Sequence, residues 1–367
     1  MSVFLERITT KEDGERRLAE IRQLKAYPTV IYGAGIYARE VAGFLKRQGV
    51  DVAAYVVDDP YADKASKDGI KPVRFGQAQG LFEKFNVVIG FCGDPYRSAE
   101  NVRAKNVPGV NRIEIIDCRF WERFELLSRS YVETHRRAFE AVYDSLQDEL
   151  SKDTLVGFLN AKMLYDPRSL KPLYSSRHYF PEDLPFFKPV QKDVFIDGGA
   201  YTGDTLAHIV SMTGGRGCAL YFAFEPDERN AARLIDYVER TKLGSVKVFR
   251  RGLWSKGGRL PFQDRGEPWS SVGQEQSVEI DAGTIDELGV AASFIKMDIE
   301  GSEYEALKGA KTTLRTHKPK LAIAVYHKLS DLTTIPAYIR ELCPGYRFYF
   351  RIHSLFSEEM VLYAVAP

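Results

Sequence analysis

Cysteine is scarce in this chain. The four residues Cys92, Cys118, Cys218 and Cys343 lie far apart with no C-x-x-C pair. That spacing excludes a disulfide framework or a zinc knuckle and suits a reducing compartment. No apolar run approaches the ~18 residues that a membrane span needs. The first residues, MSVFLERITTKEDGERR, meet charge after five positions and form no apolar signal-peptide core, so a cytoplasmic location is expected. Neither sign of charge dominates: 51 basic residues face 50 acidic ones, a net charge of +1. No global field therefore draws the protein to nucleic acid or an anionic membrane. Pairs such as Arg136-Arg137 and Arg250-Arg251 are too short for a nucleic-acid footprint, and no repeat of solenoid length is visible. What remains is a globular composition, 44% hydrophobic and 28% charged over 367 residues, enough for two domains.

The most informative segment is FIDGGAYTGDT at 195–205. Val194, Phe195 and Ile196 read as a short strand with Asp197 at its carboxyl end, followed by Gly198, Gly199 and Gly203. Glycine lets backbone approach a ligand closely, and the helix start beyond supplies unpaired N–H groups. Glu225 closes the next strand, at the spacing from which α/β folds hold a ribose. The pair points to a nucleoside-bearing cofactor. A dinucleotide usually needs the tighter G-x-G-x-x-G spacing around its pyrophosphate. S-adenosylmethionine has no phosphate; Asp197 would accept from its α-amino group and Glu225 from its ribose diol. The second reading is favoured.

Apolar periodicity organises the rest. Residues 11–26 suit an amphipathic lead-in helix, and 29–59 read strand, glycine turn, helix, strand. Two more strands, at 86–95 and 111–117, complete a Rossmann-like domain over 1–118. Residues 119–193 form a connector, helical to 165 and then proline-rich, before a domain at 194–367. There VFID, LYFAFE, VKVFR, FIKMDIE, KLAIAVYH, RFYFRIH and VLYAVA give seven strands, the last two forming an antiparallel hairpin. The fold class is α/β: a seven-stranded doubly wound Rossmann-like domain joined by a helical linker to a smaller N-terminal Rossmann-like domain.

FIDGGAYTGDT, FEPDERN, VEIDAGTIDEL, FIKMDIEGSEYEALKGA, AIAVYH and the VLYAVA strand together resemble the FkbM family of S-adenosylmethionine-dependent methyltransferases, from about 194 to 366. The resemblance implies methyl transfer to a hydroxyl, commonly of a sugar, glycan precursor or related natural product. By the same carry-over Asp197, Gly199 and Gly203 line the methionine end of the cofactor, with Tyr201, Thr202 and Asp204 beside them capping the helix. Thr202 and Asp204 also read as a plain N-cap. Glu225 would hold the ribose. Pro226 and Asp227 would flank the adenine or simply start a helix. Gly252 and Trp254 follow the third strand on the adenine side, where Trp254 equally suits the core.

At the end of the fourth strand, alternation puts Lys296, Asp298 and Glu300 on one side. Charges there are costly to bury without purpose. Asp298 is the first candidate for the reacting centre and Glu300 the second; the alternative pairs Lys296 with an acid and lets Glu300 open a helix. His327, closing the fifth strand, is a candidate base or substrate ligand. These three would also suit a divalent metal, but nothing in the sequence indicates one. Ser270, Ser271 and Asp281, in an insertion at 252–283, would touch ligand or lie on a solvated hairpin, and Arg177, His178 and Tyr179 would cover the site or pack as linker.

In the N-terminal domain Gly33, Gly35 and Tyr37 sit in a G-x-G-x-x-A turn, with Asp58 at the end of the next strand. GAGIYAREV resembles the Rossmann-like unit of some sugar-modifying transferases and epimerase-like proteins. NAD(P) binding, nucleotide-sugar binding and a degenerate scaffold all fit it. An oxidoreductase or epimerase using this domain is the alternative to the methyltransferase.

Overall fold

The computed structural model describes residues 2–61, 71–91, 93–124, 126–263, 271–272 and 278–367. The chain forms two compact units: one of 1–136, 153–174 and 354–358, the other of 137–152, 175–353 and 359–367. The connector expected at 119–193 is thus shared between the units.

After a short helix, Val3–Glu6, the first unit has the expected lead-in helix, Lys11–Arg22, whose Thr10 and Asp13 form a reciprocal capping box. Its sheet has β1 (Thr29–Tyr32), β2 (Val52–Val57), β3 (Val73–Arg74), β4 (Phe85–Ile89) and β5 (Val110–Glu114), in the order β3-β2-β1-β4-β5. Every pairing is parallel. β1 and β4 are buried along their whole length, as the central strands of a covered parallel sheet must be. The loop 354–358 completes this unit. Phe356 packs tilted against Tyr37 with ring centres 4.9 Å apart, Ser357 N–H donates to Asp117 at 2.7 Å, and Glu358 pairs with Arg119 at 2.7 Å.

The second unit carries β6 (Val194–Gly198), β7 (Leu220–Phe224) and β8 (Val246–Phe249). A small sheet follows, with β9 (Gly252–Leu253), β10 (Gly258–Gln263), β11 (Ser271–Val272) and β12 (Val278–Gly283), then β13 (Phe294–Met297), β14 (Lys320–Ala324), β15 (Arg347–Ile352) and β16 (Met360–Val365). The main sheet runs β15-β16-β14-β13-β6-β7-β8. All seven expected strands are present, and β16 is antiparallel to both neighbours. The order reverses beside β6 and β13, and ligands of open α/β sheets bind at such a switch point, beyond the carboxyl ends of the strands. On one face Tyr221, Phe195 and Phe294 stack from strand to strand, with centres 5.2 and 4.6 Å apart. This aromatic row locks the register of the three strands that carry the site.

Several strands end earlier than their apolar runs predict. β13 stops at Met297, so Asp298 and Glu300 belong to the loop, where Glu300 has φ +56° and Gly301 +89°. β14 stops at Ala324, leaving His327 three residues beyond it. Asp298 N–H still donates to Gly198 O at 3.1 Å, and one residue on Ile299 N–H donates instead to the Glu303 carboxylate at 2.8 Å.

Candidate active site

The glycine turn is set by backbone geometry. Gly199 has φ +73°, and a Cβ there would lie 1.9 Å from the Asp298 carbonyl oxygen. Gly203 has φ +93° and opens the helix Asp204–Met212 without a side-chain cap. The N–H groups of Gly199 and Ala200 both donate to Phe224 O at 3.0 Å, holding the turn against the end of β7. Tyr201, Thr202 and Asp204, expected to cap that helix, flank its N-cap Gly203 instead; Tyr201 takes φ +47°, uncommon for a non-glycine residue.

Asp197 departs from the expectation of an amino-group ligand. It is fully buried, its Oδ1 lies 3.0 Å from Lys296 Nζ, and Tyr221 O–H donates to Oδ2. Burial pushes its carboxyl up, against the pull of Lys296. Burial alone would lower Lys296, but Asp197, Asp298 and Asp204 outweigh that and raise it. Lys296 also donates to Gly199 O at 2.7 Å and Gly198 O at 3.2 Å. Asp197 therefore shapes the cradle from beneath, and any ligand above meets backbone.

Glu225 stands directly after β7. Its Oε2 accepts from Tyr201 N–H at 2.8 Å and its Oε1 from Asp227 N–H at 2.9 Å. Each oxygen keeps a lone pair for a diol. Burial raises its pKa to about 7. Asp227 caps the helix Glu228–Thr241 through Asn230 N–H at 2.9 Å, so the helix-start reading describes it, with half-buried Pro226 beside it. Gly252 and Leu253 pair in parallel with Ala282 and Gly283, and Leu253 lies against Gly198. Trp254 N–H donates to Gly283 O at 2.9 Å, and the indole is half-buried. Asp281 pairs with Arg259 at 3.6 Å in this small sheet. Ser270 lies outside the described residues, and of Ser271 only the backbone is described.

Asp298, Glu300 and His327 do converge. His327 Nε2 lies 3.4 Å from Asp298 Oδ1 and 3.6 Å from Glu300 Oε2, while Nδ1 lies 3.0 Å from Glu303 Oε1. His327 and Glu303 are fully buried. Burial would lower the imidazole, but Glu303 and Glu300 outweigh it and hold it well above the ordinary histidine range. A charged imidazole sealed from solvent has no lone pair for an acceptor's proton, which weighs against the base expected of His327. Asp298 remains reachable. Burial would raise its carboxyl, but His327 and Lys296 outweigh that and hold it below the ordinary value.

Around Asp298 stand four residues to which sequence reasoning gave no catalytic place. Tyr179 O–H donates to its Oδ2 at 2.6 Å. Tyr326 O–H lies 3.4 Å from Asp298 Oδ1 and 3.3 Å from Glu359 Oε1. His178 stacks on Tyr179 with centres 3.8 Å apart, its Nε2 3.2 Å from Glu359 Oε2. Tyr179, Tyr201, Glu300 and Glu359 all have positive φ, and strained non-glycine backbone gathers at functional sites. The HY pair at 178–179 was the one available signal.

In the first unit three of the four expected residues have other work. Tyr37 is buried and its O–H donates to Ile116 O at 2.6 Å, a core strut beyond a ligand's reach. Asp58 accepts from Tyr32 O–H at 2.7 Å and pairs with Lys105 at 2.8 Å. A Cβ on Gly33 would lie 2.6 Å from Gly90 O, so this glycine serves loop packing, whereas Gly35 faces open space.

Residues 197–348 match the model of the methyltransferase FkbM domain. Among solved structures the chain is similar to a methyltransferase FkbM from Methylobacillus flagellatus KT at 23% identity, over 98% of this chain and 94% of that one, with TM-score 0.72. An rRNA methylase from Streptococcus thermophilus aligns with 49% of this chain and 89% of its own, at 9% identity and TM-score 0.33. No curated protein matches. The first likeness shows that the two-unit fold recurs; the second is too distant to carry an argument. The switch-point turn and the strand-end acids lie at or within the segment 197–348, which is similar to a methyltransferase FkbM domain.

Proposed function

We propose that the protein is an S-adenosylmethionine-dependent O-methyltransferase acting on a hydroxyl of a sugar, glycan precursor or related natural product. The observation that carries this reading is the pairing of a cradle only glycine fits, at Gly199, with a diol-ready carboxylate, Glu225, across a turn both help to shape. The fit favours a nucleoside without phosphate: acids stand at this turn, and Asp197 with Lys296 makes its underside neutral overall. The bound donor would supply a sulfonium methyl group for in-line displacement.

The chain's own residues do the positioning. Glu225 would accept the ribose hydroxyls, with Gly252 and Trp254 on the adenine side and Tyr201, Thr202, Gly203 and Asp204 along the rim. Lys296 fixes the Gly198 and Gly199 carbonyls and so the floor. Asp298, oriented by Tyr179 and held ionised, would accept a hydrogen bond from the acceptor hydroxyl and take its proton as the new C–O bond forms. His327 would hold Asp298 in place, with Glu300 beside the same ring nitrogen. The NAD(P)-dependent or nucleotide-sugar alternative is weaker because Asp58 and Tyr37 are already engaged.

Calorimetric titration of the full chain with S-adenosylmethionine tests the donor. Saturable binding weakened by Glu225→Gln is expected; failure to bind would remove the proposal. Incubation with a labelled donor and a panel of hydroxylated acceptors then tests the acceptor class.

A further inference from the structure

The Nε2 atom of His178 is sealed from solvent and makes no hydrogen bond, although two carboxylates adjoin it. We propose that His178, Asp298 and Glu359 bind a divalent metal ion of the magnesium or manganese class, which holds the acceptor through two neighbouring oxygens.

The ligand atoms of these residues all lie within 4.8 Å of one another, and His178 Nε2 is 3.2 Å from Glu359 Oε2. Around an ion with bonds of about 2.1 Å, ligands at right angles lie ~3.0 Å apart and opposite ones ~4.2 Å. Small side-chain movements therefore close this set on one ion. Two carboxylates and an imidazole suit a hard or borderline cation.

Charge points the same way. Two carboxylates face a single imidazole in this set. Of the neighbouring cations, Lys296 pairs with Asp197, while His327 is shared between Asp298, Glu300 and Glu303.

The surroundings look like an outer coordination shell. Tyr179 O–H fixes Asp298 Oδ2, and Tyr326 O–H adjoins both carboxylates. The His178 ring is stacked between Tyr179 and His353, 3.8 and 4.9 Å away. The side chains of His178, Asp298 and Glu359 are 33%, 18% and 31% exposed, so an ion there keeps open positions. The other grouping, Asp298 with Glu303 and His327, is closed: two of its members are fully buried and already joined at 3.0 Å. An ion at the open site lowers the pKa of a coordinated hydroxyl and favours an acceptor with vicinal oxygens. That role rests on the methyl-transfer reading; the binding itself does not.

The test uses the full chain, freed of metal with chelator and titrated with Mn2+, free ion being followed by electron paramagnetic resonance. One ion per chain is expected, displaced by excess Mg2+. His178→Ala and the isosteric Glu359→Gln should each weaken it about tenfold or more. Thermal melts report folding, and S-adenosylmethionine affinity should change less than about twofold, a step of ~0.4 kcal/mol. No Mn2+ bound at about 1 mM, or equal affinity in both folded variants, overturns the site. Donor binding without Mn2+ binding removes only this inference; Mn2+ binding without donor binding removes the donor reading and leaves the ion site.

Discussion

Lys296 Nζ lies 3.0 Å from Asp197 Oδ1, both side chains closed to solvent, and the pair joins β13 to β6 directly beneath the glycine turn. Breaking a buried pair by removing one partner leaves a charge uncompensated. Lys296→Met or Asp197→Asn should therefore cost about 3–5 kcal/mol in urea unfolding of the full chain. Lys296→Met should in addition loosen the turn, because the Gly198 and Gly199 carbonyls lose their donor.

Gly199→Ala should abolish donor binding in calorimetry. Its left-handed backbone alone costs an alanine about 1–3 kcal/mol. The Cβ would also overlap the Asp298 carbonyl oxygen, which the turn cannot avoid without giving up its bonds to Phe224 O. Gly35→Ala, which faces open space, is the matched control and should bind donor as the parent does.

Glu225 makes two opposite pH trends. Its pKa is about 7 in the folded chain against an ordinary 4.5. Between those values the folded state holds a proton that the unfolded chain has released. Stability of the ligand-free protein should fall by ~3 kcal/mol as pH rises through that window. Donor affinity should instead rise through pH 7, as the carboxylate becomes available to the ribose. Denaturant melts and titrations at matched pH values measure the two trends, and Glu225→Gln should flatten both.

His327→Ala should reveal itself first as a loss of stability, about 3–5 kcal/mol, because Glu303 and its neighbours lose their shared cation. Loss of turnover with unchanged unfolding would contradict the positioning role.

Much of the fold was legible because parallel strands buried on both faces leave continuous apolar runs; the TVIY, VFID and LAIA segments each became strands. The glycine turn was legible for a related reason, since few sequences other than glycine permit its backbone. The interior electrostatics were not. Nothing along the chain says that Asp197 faces Lys296 across two strands, or that Glu303 lies behind His327 and keeps it charged. Strand ends misled as well, because Asp298 and His327 continue an apolar alternation that the backbone abandons at Met297 and Ala324. His178 and Tyr179 sit in a segment with five prolines and no periodicity, and Glu359 in the turn of a hairpin. Only tertiary structure brings them to Asp298.

The five residues Ser354–Glu358 lie within the second unit's terminal hairpin, yet supply Phe356 and Glu358 to the first unit. The chain crosses between units after residues 136, 152, 174, 353 and 358. No single cut therefore yields two complete halves. A fragment ending at Tyr174 would strip Arg119 of Glu358 and leave Tyr37 bare of its aromatic neighbour. Shuffling of either half onto another protein is disfavoured, and loss of the N-terminal half would have to rebuild the loop that answers it.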